Sequence, residues 1–181
     1  KEGQHLSLSV AVDFTASNKT PTDPTSNHYV SQSPNQYQMA LSTVGNILLN
    51  YDSDRRVTAF GFGGIPQWPN FREDKANHCF PLTGNRQIWE VQDLQGLMNG
   101  YQNALNNVKL SGPTYFAPLL NQAIQHIQNS PQNIYHLLLI LTDGAIHDMN
   151  PTKEALIKAS ELPMSVVIVG VGDADEMQKM V

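Results

Sequence analysis

The chain has 181 residues, 40% of them hydrophobic, which predicts one globular domain with a packed core. Its 16 acidic and 11 basic residues give a formal net charge of −5, which argues against nucleic-acid binding because no basic surface is available for phosphate contacts. The single cysteine, Cys79, excludes an internal disulfide bond and a zinc site made of thiolates, and it favours a reducing, intracellular compartment.

Apolar periodicity predicts strands that alternate with helices along the chain. In chain order we predict a strand at 6–14, a helix at 36–50, a strand at 57–64, helices at 91–108 and 119–127, a strand at 134–141, a helix at 152–161 capped by Thr152, and a strand at 163–172. This alternation predicts an α/β fold, a three-layer α/β/α sandwich in which helices flank a doubly wound, mostly parallel sheet.

The remaining segments are predicted to be loops. A long loop rich in Pro, Ser, Thr and Asn follows the first strand, and loops of that length are usually functional or mobile. Residues 65–86 are predicted to be irregular because they contain three prolines, with short strands around Cys79–Phe80. "YDSDRR" at 51–56 is interpreted as a solvated turn rather than a second cation site, and Gly63–Gly64 as a plain turn. Asp173 and Asp175 are interpreted as a helix start.

Oxygen-bearing side chains follow two of the predicted strands. Asp13, Thr15 and Ser17 leave the first strand, Asp143 leaves the strand "HLLLILTDG", and Thr114 precedes a helix in "SGPTYFAP". Ligands of open α/β sheets gather beyond the carboxyl ends of the strands, so these side chains are candidates for a common site. Two carboxylates and three hydroxyls, without nitrogen or sulfur, suit Mg²⁺, Mn²⁺ or Ca²⁺ rather than zinc.

Two other interpretations of these residues stand beside the metal site. The hydroxyls could cap turns and helices, which each does commonly when taken singly. Asp13 could be a phosphatase nucleophile, but such enzymes usually carry a second acid two residues later, where this chain has Thr15. The histidines show no spacing that identifies a base, and His147 is interpreted as a solvated loop residue.

The D-x-T-x-S motif, the Thr of "GPT" and the Asp of "TDG" resemble the metal-ion-dependent adhesion site of von Willebrand factor A domains. The segments "VAVDFTASN", "HYV", "YDSDRRVTAFGFGG", "LSGPTYFAP", "LLLILTDGAIHDM" and "ASELPMSVVIVGVGDAD" resemble the A domain of copines over nearly the whole chain. The resemblance implies a single A domain over residues 1–181, cut from a longer protein and lacking the last strand and helix of such domains.

The resemblance also implies a function. Asp13, Thr15, Ser17, Thr114 and Asp143 would hold one divalent cation, Mg²⁺ before Mn²⁺ or Ca²⁺, and an acidic side chain of a protein partner would complete the coordination. The domain would be non-catalytic. C2 domains outside this chain would bind phospholipid membranes with calcium, so a cytoplasmic protein would move to the plasma membrane or other membranes when calcium rises. The alternative is the copine-like A domain of a RING-type ubiquitin ligase.

Overall fold

The computed structural model describes residues 5–131, 133–144 and 146–172. Its strands are β1 (His5–Asp13), β2 (Asp52–Phe62), β3 (Gly64–Trp68), β4 (Phe71–Arg72), β5 (Phe80–Pro81), β6 (Glu90–Gln92), β7 (Val108–Leu110), β8 (Ile134–Thr142) and β9 (Met164–Gly170). Its α-helices are α1 (Gln36–Leu48), α2 (Asp93–Asn107), α3 (Ala117–Gln128) and α4 (Met149–Ala159). No helix among these residues is long and apolar enough to cross a membrane.

The main sheet has the strand order β5-β2-β1-β8-β9. Strand β1 runs parallel to both β2 and β8, and β8 runs parallel to β9. The short strands β5 and β6 pair antiparallel with β2. The predicted mostly parallel sheet is therefore confirmed, and β1 and β8 lie side by side at its centre with their carboxyl ends at the same edge.

Helices cover both faces of this sheet because successive residues of a strand point to opposite faces. On one face, Val10 and Val12 of β1 join a core that includes Tyr37 of α1 and Tyr101 of α2. On the other face the core contains these residues of β1, β2, β8, α3 and α4: Ala11, Phe60, Phe62, Leu119, Leu120, Ala123, Leu138, Ile140, Ala155 and Ala159. The three-layer α/β/α prediction is confirmed by this arrangement.

The predicted turn at 51–56 was wrong, because β2 already begins at Asp52. The register between β1 and β2 shifts in this segment, where Arg55 has φ of 55°. Asp52 is buried, and its carboxylate accepts backbone hydrogen bonds from Leu8, Asp54 and Arg55. Asp52 therefore stabilises an irregular strand start and is not a solvated turn residue.

Two other boundaries differ from the prediction. Residues 64–72 are not irregular, since β3 pairs antiparallel with both β4 and β7. Helix α4 begins at Met149, so Thr152 lies inside its first turn and is not its cap. The Thr152 hydroxyl instead donates a hydrogen bond to Asp148 Oδ1 at 3.0 Å. The predicted helix start at Asp173 and Asp175 lies outside the described residues.

Candidate metal centre

Four of the five predicted ligands form a continuous row of oxygen atoms at the carboxyl ends of β1 and β8. The Thr15 hydroxyl donates to Asp13 Oδ1 at 2.6 Å, and the Ser17 hydroxyl donates to Asp143 Oδ1 at 2.9 Å. The two hydroxyl oxygens lie 3.0 Å apart. Because each hydroxyl gives its single proton to a carboxylate, its lone pairs are left for another electrophile.

Asp13 is fully buried and held entirely by neutral donors. Its Oδ1 accepts the backbone N–H and the hydroxyl of Thr15, and its Oδ2 accepts the Thr142 hydroxyl at 2.6 Å. Burial raises the pKa of Asp13, and the hydrogen bonds from Thr142 and Thr15 oppose that rise. The salt bridges found among the described residues do not include Asp13, so no cationic side chain there balances its charge.

Thr114 reaches the same place on a different segment. Thr15 forms a parallel bridge with Ser111, and Ala16 N–H donates to the Ser111 carbonyl at 2.6 Å. A methyl group added to Gly144 would lie 3.6 Å from Thr114 Oγ1 and 3.8 Å from Ser17 Oγ. We call this space beside Gly144, between the two hydroxyls, the cradle. All five predicted site residues therefore converge.

Two residues that sequence reasoning did not assign fasten the Thr114 segment to the loop after β8. The Thr114 N–H donates to His147 Nδ1 at 3.1 Å, and the His147 N–H donates to the Thr114 carbonyl at 2.9 Å. The carboxylate of Asp148 accepts the N–H groups of Phe116 and Ala117, each at 2.9 Å, where α3 begins. His147 is exposed as predicted, but it is bonded to the site rather than merely solvated.

Gly63 supports the centre from β2 and is more than a plain turn. It has φ of 77°, in the region that favours glycine, and a Cβ there would clash with Thr15 Cγ2. Any larger residue would therefore push Thr15 and its hydroxyl out of place.

The donor set fits a hard cation. Its oxygens come from two carboxylates and three hydroxyls, the ligand type that Mg²⁺ and Ca²⁺ prefer. Among residues 5–131, 133–144 and 146–172, no three His, Cys, Asp or Glu side chains are grouped so that they could hold a metal ion. A metal at this centre would consequently depend on the threonine and serine oxygens.

Cys79 is partly buried among the described residues. Burial raises the pKa of its thiol to about 12, which keeps the thiol protonated at neutral pH.

The sequence of the chain is similar to one protein-family model and to two curated plant proteins. A family model described as "Copine" matches residues 26–181. The chain is 46% identical to Protein BONZAI 1 and 44% identical to Protein BONZAI 2 of Arabidopsis thaliana, in each case over 96% of the chain and 30% of the relative. It therefore spans about a third of the length of these curated relatives.

Solved structures share the fold at low sequence identity. Proximal thread matrix protein 1 from the mussel byssus aligns with a TM-score of 0.57 at 14% identity, over 99% of this chain and 41% of that one. The manganese-loaded TRAP protein of Plasmodium vivax aligns with a TM-score of 0.54 at 15% identity, over 97% of this chain and 61% of that one. At these identities the likeness bears on the fold alone.

Proposed function

The chain belongs to the copine family, and we propose that this domain binds one divalent cation and uses it to bind an acidic side chain of a protein partner. The observation that carries the proposal is the direction of two hydrogen bonds. Thr15 and Ser17 give their protons to Asp13 and Asp143, so their lone pairs are available to a cation.

In the proposed site Thr15, Ser17 and Thr114 are the direct or near ligands. Asp13 and Asp143 balance the charge of the ion and hold its coordinated waters. Neutral hydroxyl ligands leave a cation more electrophilic than carboxylate ligands do, and Mg²⁺ commonly keeps some of its waters. A carboxylate of a partner would replace one such water, which would make the ion part of a protein interface. We favour Mg²⁺, with Mn²⁺ and Ca²⁺ as alternatives.

The site is proposed to be non-catalytic. Both carboxylate oxygens of Asp13 accept hydrogen bonds, and the residue is 0% exposed, so it is poorly placed to attack a phosphate ester. Thr15 stands where a phosphatase of this type would carry its general acid, and its hydroxyl is already donated to Asp13.

We propose that the intact protein also acts through domains outside these 181 residues, because the chain spans 30% of the length of its curated relatives. We propose that C2 domains elsewhere in the protein bind phospholipid when calcium rises, and that this domain then recruits its partner from the cytoplasm to the membrane. The domain described here would supply partner recognition rather than lipid binding.

A metal titration tests the proposed ion. After EDTA treatment and dialysis, Mg²⁺, Mn²⁺ or Ca²⁺ is added to the chain and thermal unfolding is followed. A ligand that binds only the native state stabilises it by about 2.7 kcal/mol at 100 times Kd. We expect this shift in the wild type and its loss in Thr114→Ala. The matched control, Thr22→Ala on an exposed loop, should shift like the wild type. No shift with any of the ions in the wild type would refute the proposal.

A binding assay tests the partner chemistry. We expect a peptide of ten glutamates to bind the Mg²⁺-loaded chain, and we expect EDTA or Thr114→Ala to abolish that binding. Hydrolysis of p-nitrophenyl phosphate, assayed with the same metals, should stay at background. Turnover that disappears in Asp13→Asn would establish a phosphatase instead.

A further inference from the structure

A chain of buried hydrogen bonds runs from the start of α1 to the main chain of the candidate metal centre. Asn35 Nδ2 lies 3.1 Å from Tyr101 Oη, which lies 2.7 Å from His28 Nδ1. His28 Nε2 lies 2.8 Å from the carbonyl oxygen of Asp13. Asn35, Tyr101 and His28 are all buried. None of the three was assigned a role from the sequence.

The partners determine the direction of every bond in this chain. A backbone carbonyl can only accept, so the Nε2 of His28 must carry the proton that binds Asp13. The Nδ1 of the neutral ring is then an acceptor and takes the single proton of Tyr101. Tyr101 Oη lies 3.1 Å from Asn35 Nδ2 and 3.3 Å from Asn35 Oδ1, and because its single proton is on His28 it accepts from Nδ2. Tyr101 and the Asp13 carbonyl therefore favour the same His28 tautomer, the one with the proton on Nε2.

Aromatic packing restrains the same ring. His28 is stacked on Tyr37, with ring centroids 4.2 Å apart and an interplanar angle of 14°, and on Phe14, with centroids 5.4 Å apart. The Tyr37 hydroxyl donates to Asn18 Oδ1 at 2.8 Å. The Asn18 amide lies 3.3 Å from the Thr15 carbonyl, which gives the aromatic group a second connection to the loop.

We propose that Asn35, Tyr101 and His28 form a positioning relay that holds the Asp13–Ser17 backbone in its cation-binding conformation and so raises the affinity of the centre for its ion. This inference rests on the proposed metal-binding function. Mg²⁺ demands near-ideal octahedral geometry, so small displacements of the ligand loop are costly. A loop ordered before binding also avoids the entropic cost of being ordered by the ion.

Tyr101→Phe is the sharpest perturbation because it removes one hydroxyl and keeps the ring. It leaves His28 Nδ1 without its donor, so only the Asp13 carbonyl still favours the tautomer with the proton on Nε2. The matched control is Tyr135→Phe, which removes a hydroxyl that lies 2.7 Å from Ser165 Oγ, at the opposite end of β8 from Thr142. Tyr101→Phe loses its hydrogen bonds to His28 and from Asn35, whereas Tyr135→Phe loses one hydrogen bond away from the relay, and urea unfolding of both variants measures the difference in stability.

Three measurements on the 181-residue chain test the relay. Mn²⁺ affinity reports on the centre, the ¹⁵N chemical shifts of His28 report on its tautomer, and urea unfolding reports on folding stability. We expect the Nε2–H tautomer in the wild type. We expect at least fivefold weaker Mn²⁺ binding in Tyr101→Phe and less than a twofold change in Tyr135→Phe. Wild-type affinity in Tyr101→Phe would overturn the relay and leave the proposed metal site standing. Absence of Mn²⁺ binding in the wild type would overturn both.

A second pair of variants keeps the proposal falsifiable if Tyr101→Phe fails to fold. The amide nitrogen of His28→Gln can replace Nε2 as the donor to Asp13, whereas the shorter His28→Asn cannot reach it. Both remove the same aromatic stacking, but only His28→Gln can keep the hydrogen bond to the Asp13 carbonyl, so urea unfolding is measured for both and Mn²⁺ affinity is compared where both are folded. We expect His28→Gln to bind Mn²⁺ at least threefold more tightly than His28→Asn, and equal affinities would overturn the relay.

Discussion

Replacing Asp148 removes the acceptor that joins the loop after β8 to the start of α3. Its carboxylate accepts from the N–H groups of Phe116 and Ala117, both buried residues, and from the Thr152 hydroxyl. A hydrogen bond to a charged group contributes about 1.5 kcal/mol or more, and an anion at a helix N-terminus adds about 0.3–1 kcal/mol. Two such backbone bonds predict that Asp148→Ala lowers the free energy of unfolding by about 3–4 kcal/mol.

Two further variants separate the charge of Asp148 from its hydrogen bonds. Asp148→Asn keeps one acceptor oxygen and loses the charge, so we expect about half the loss, roughly 2 kcal/mol. Glu154→Gln removes a charge from the exposed face of α4 and should change stability by less than about 0.5 kcal/mol. Urea unfolding at pH 7 with EDTA measures all three. If Asp148→Ala costs no more than Glu154→Gln, the carboxylate does not join the two segments as described.

Three other outcomes follow from the geometry. Gly63→Ala should lower the free energy of unfolding by at least about 1 kcal/mol in urea, because its φ is 77° and its Cβ would meet Thr15; wild-type stability would contradict this. Gly144→Ala fills the cradle with only ordinary contacts, so it should abolish the metal-induced thermal shift while the metal-free unfolding temperature stays within a few degrees. Burial lowers the pKa of His28 to about 4, so the folded state stays neutral where the unfolded state takes up a proton. This contribution to the free energy of unfolding is fully present above pH 6.5, and about 3 kcal/mol of it is lost as the pH falls towards 4. Urea unfolding of His28→Gln as a function of pH should lack this loss.

The convergence of Asp13 and Asp143 could be predicted in part. Each follows a buried strand of a sheet predicted to be mostly parallel, and ligands of such sheets gather beyond the carboxyl ends of the strands. The structure adds that the two strands, β1 and β8, are direct neighbours. Thr114 was placed by the combined motifs and by the resemblance, since it precedes a helix and follows no strand of the main sheet. Its position depends on the Thr15–Ser111 bridge, which no periodicity reveals.

The supporting residues could not be predicted because their partners are distant in the sequence. Asp148 binds backbone groups about thirty residues away, and His28 binds Tyr101 across 73 residues. In their local sequence, Asp148 and His28 both resemble ordinary loop residues. The early start of β2 was missed for a related reason, since Asp52 satisfies backbone donors with its side chain and so makes a turn-like sequence compatible with a strand.

The hydrogen-bond directions around the centre lead to one conclusion about its chemistry. The protons of Thr15, Ser17 and Thr142 all end on a carboxylate, and the proton of His28 ends on the Asp13 carbonyl. These donors therefore face the protein, and the hydroxyl lone pairs of Thr15 and Ser17 remain available to a ligand. An anion or a hydrogen-bond acceptor would meet lone pairs there, whereas a cation would be attracted to them and to two buried carboxylates. Under the proposed function, a negatively charged partner would approach this surface through an intervening cation, and EDTA should therefore abolish the interaction.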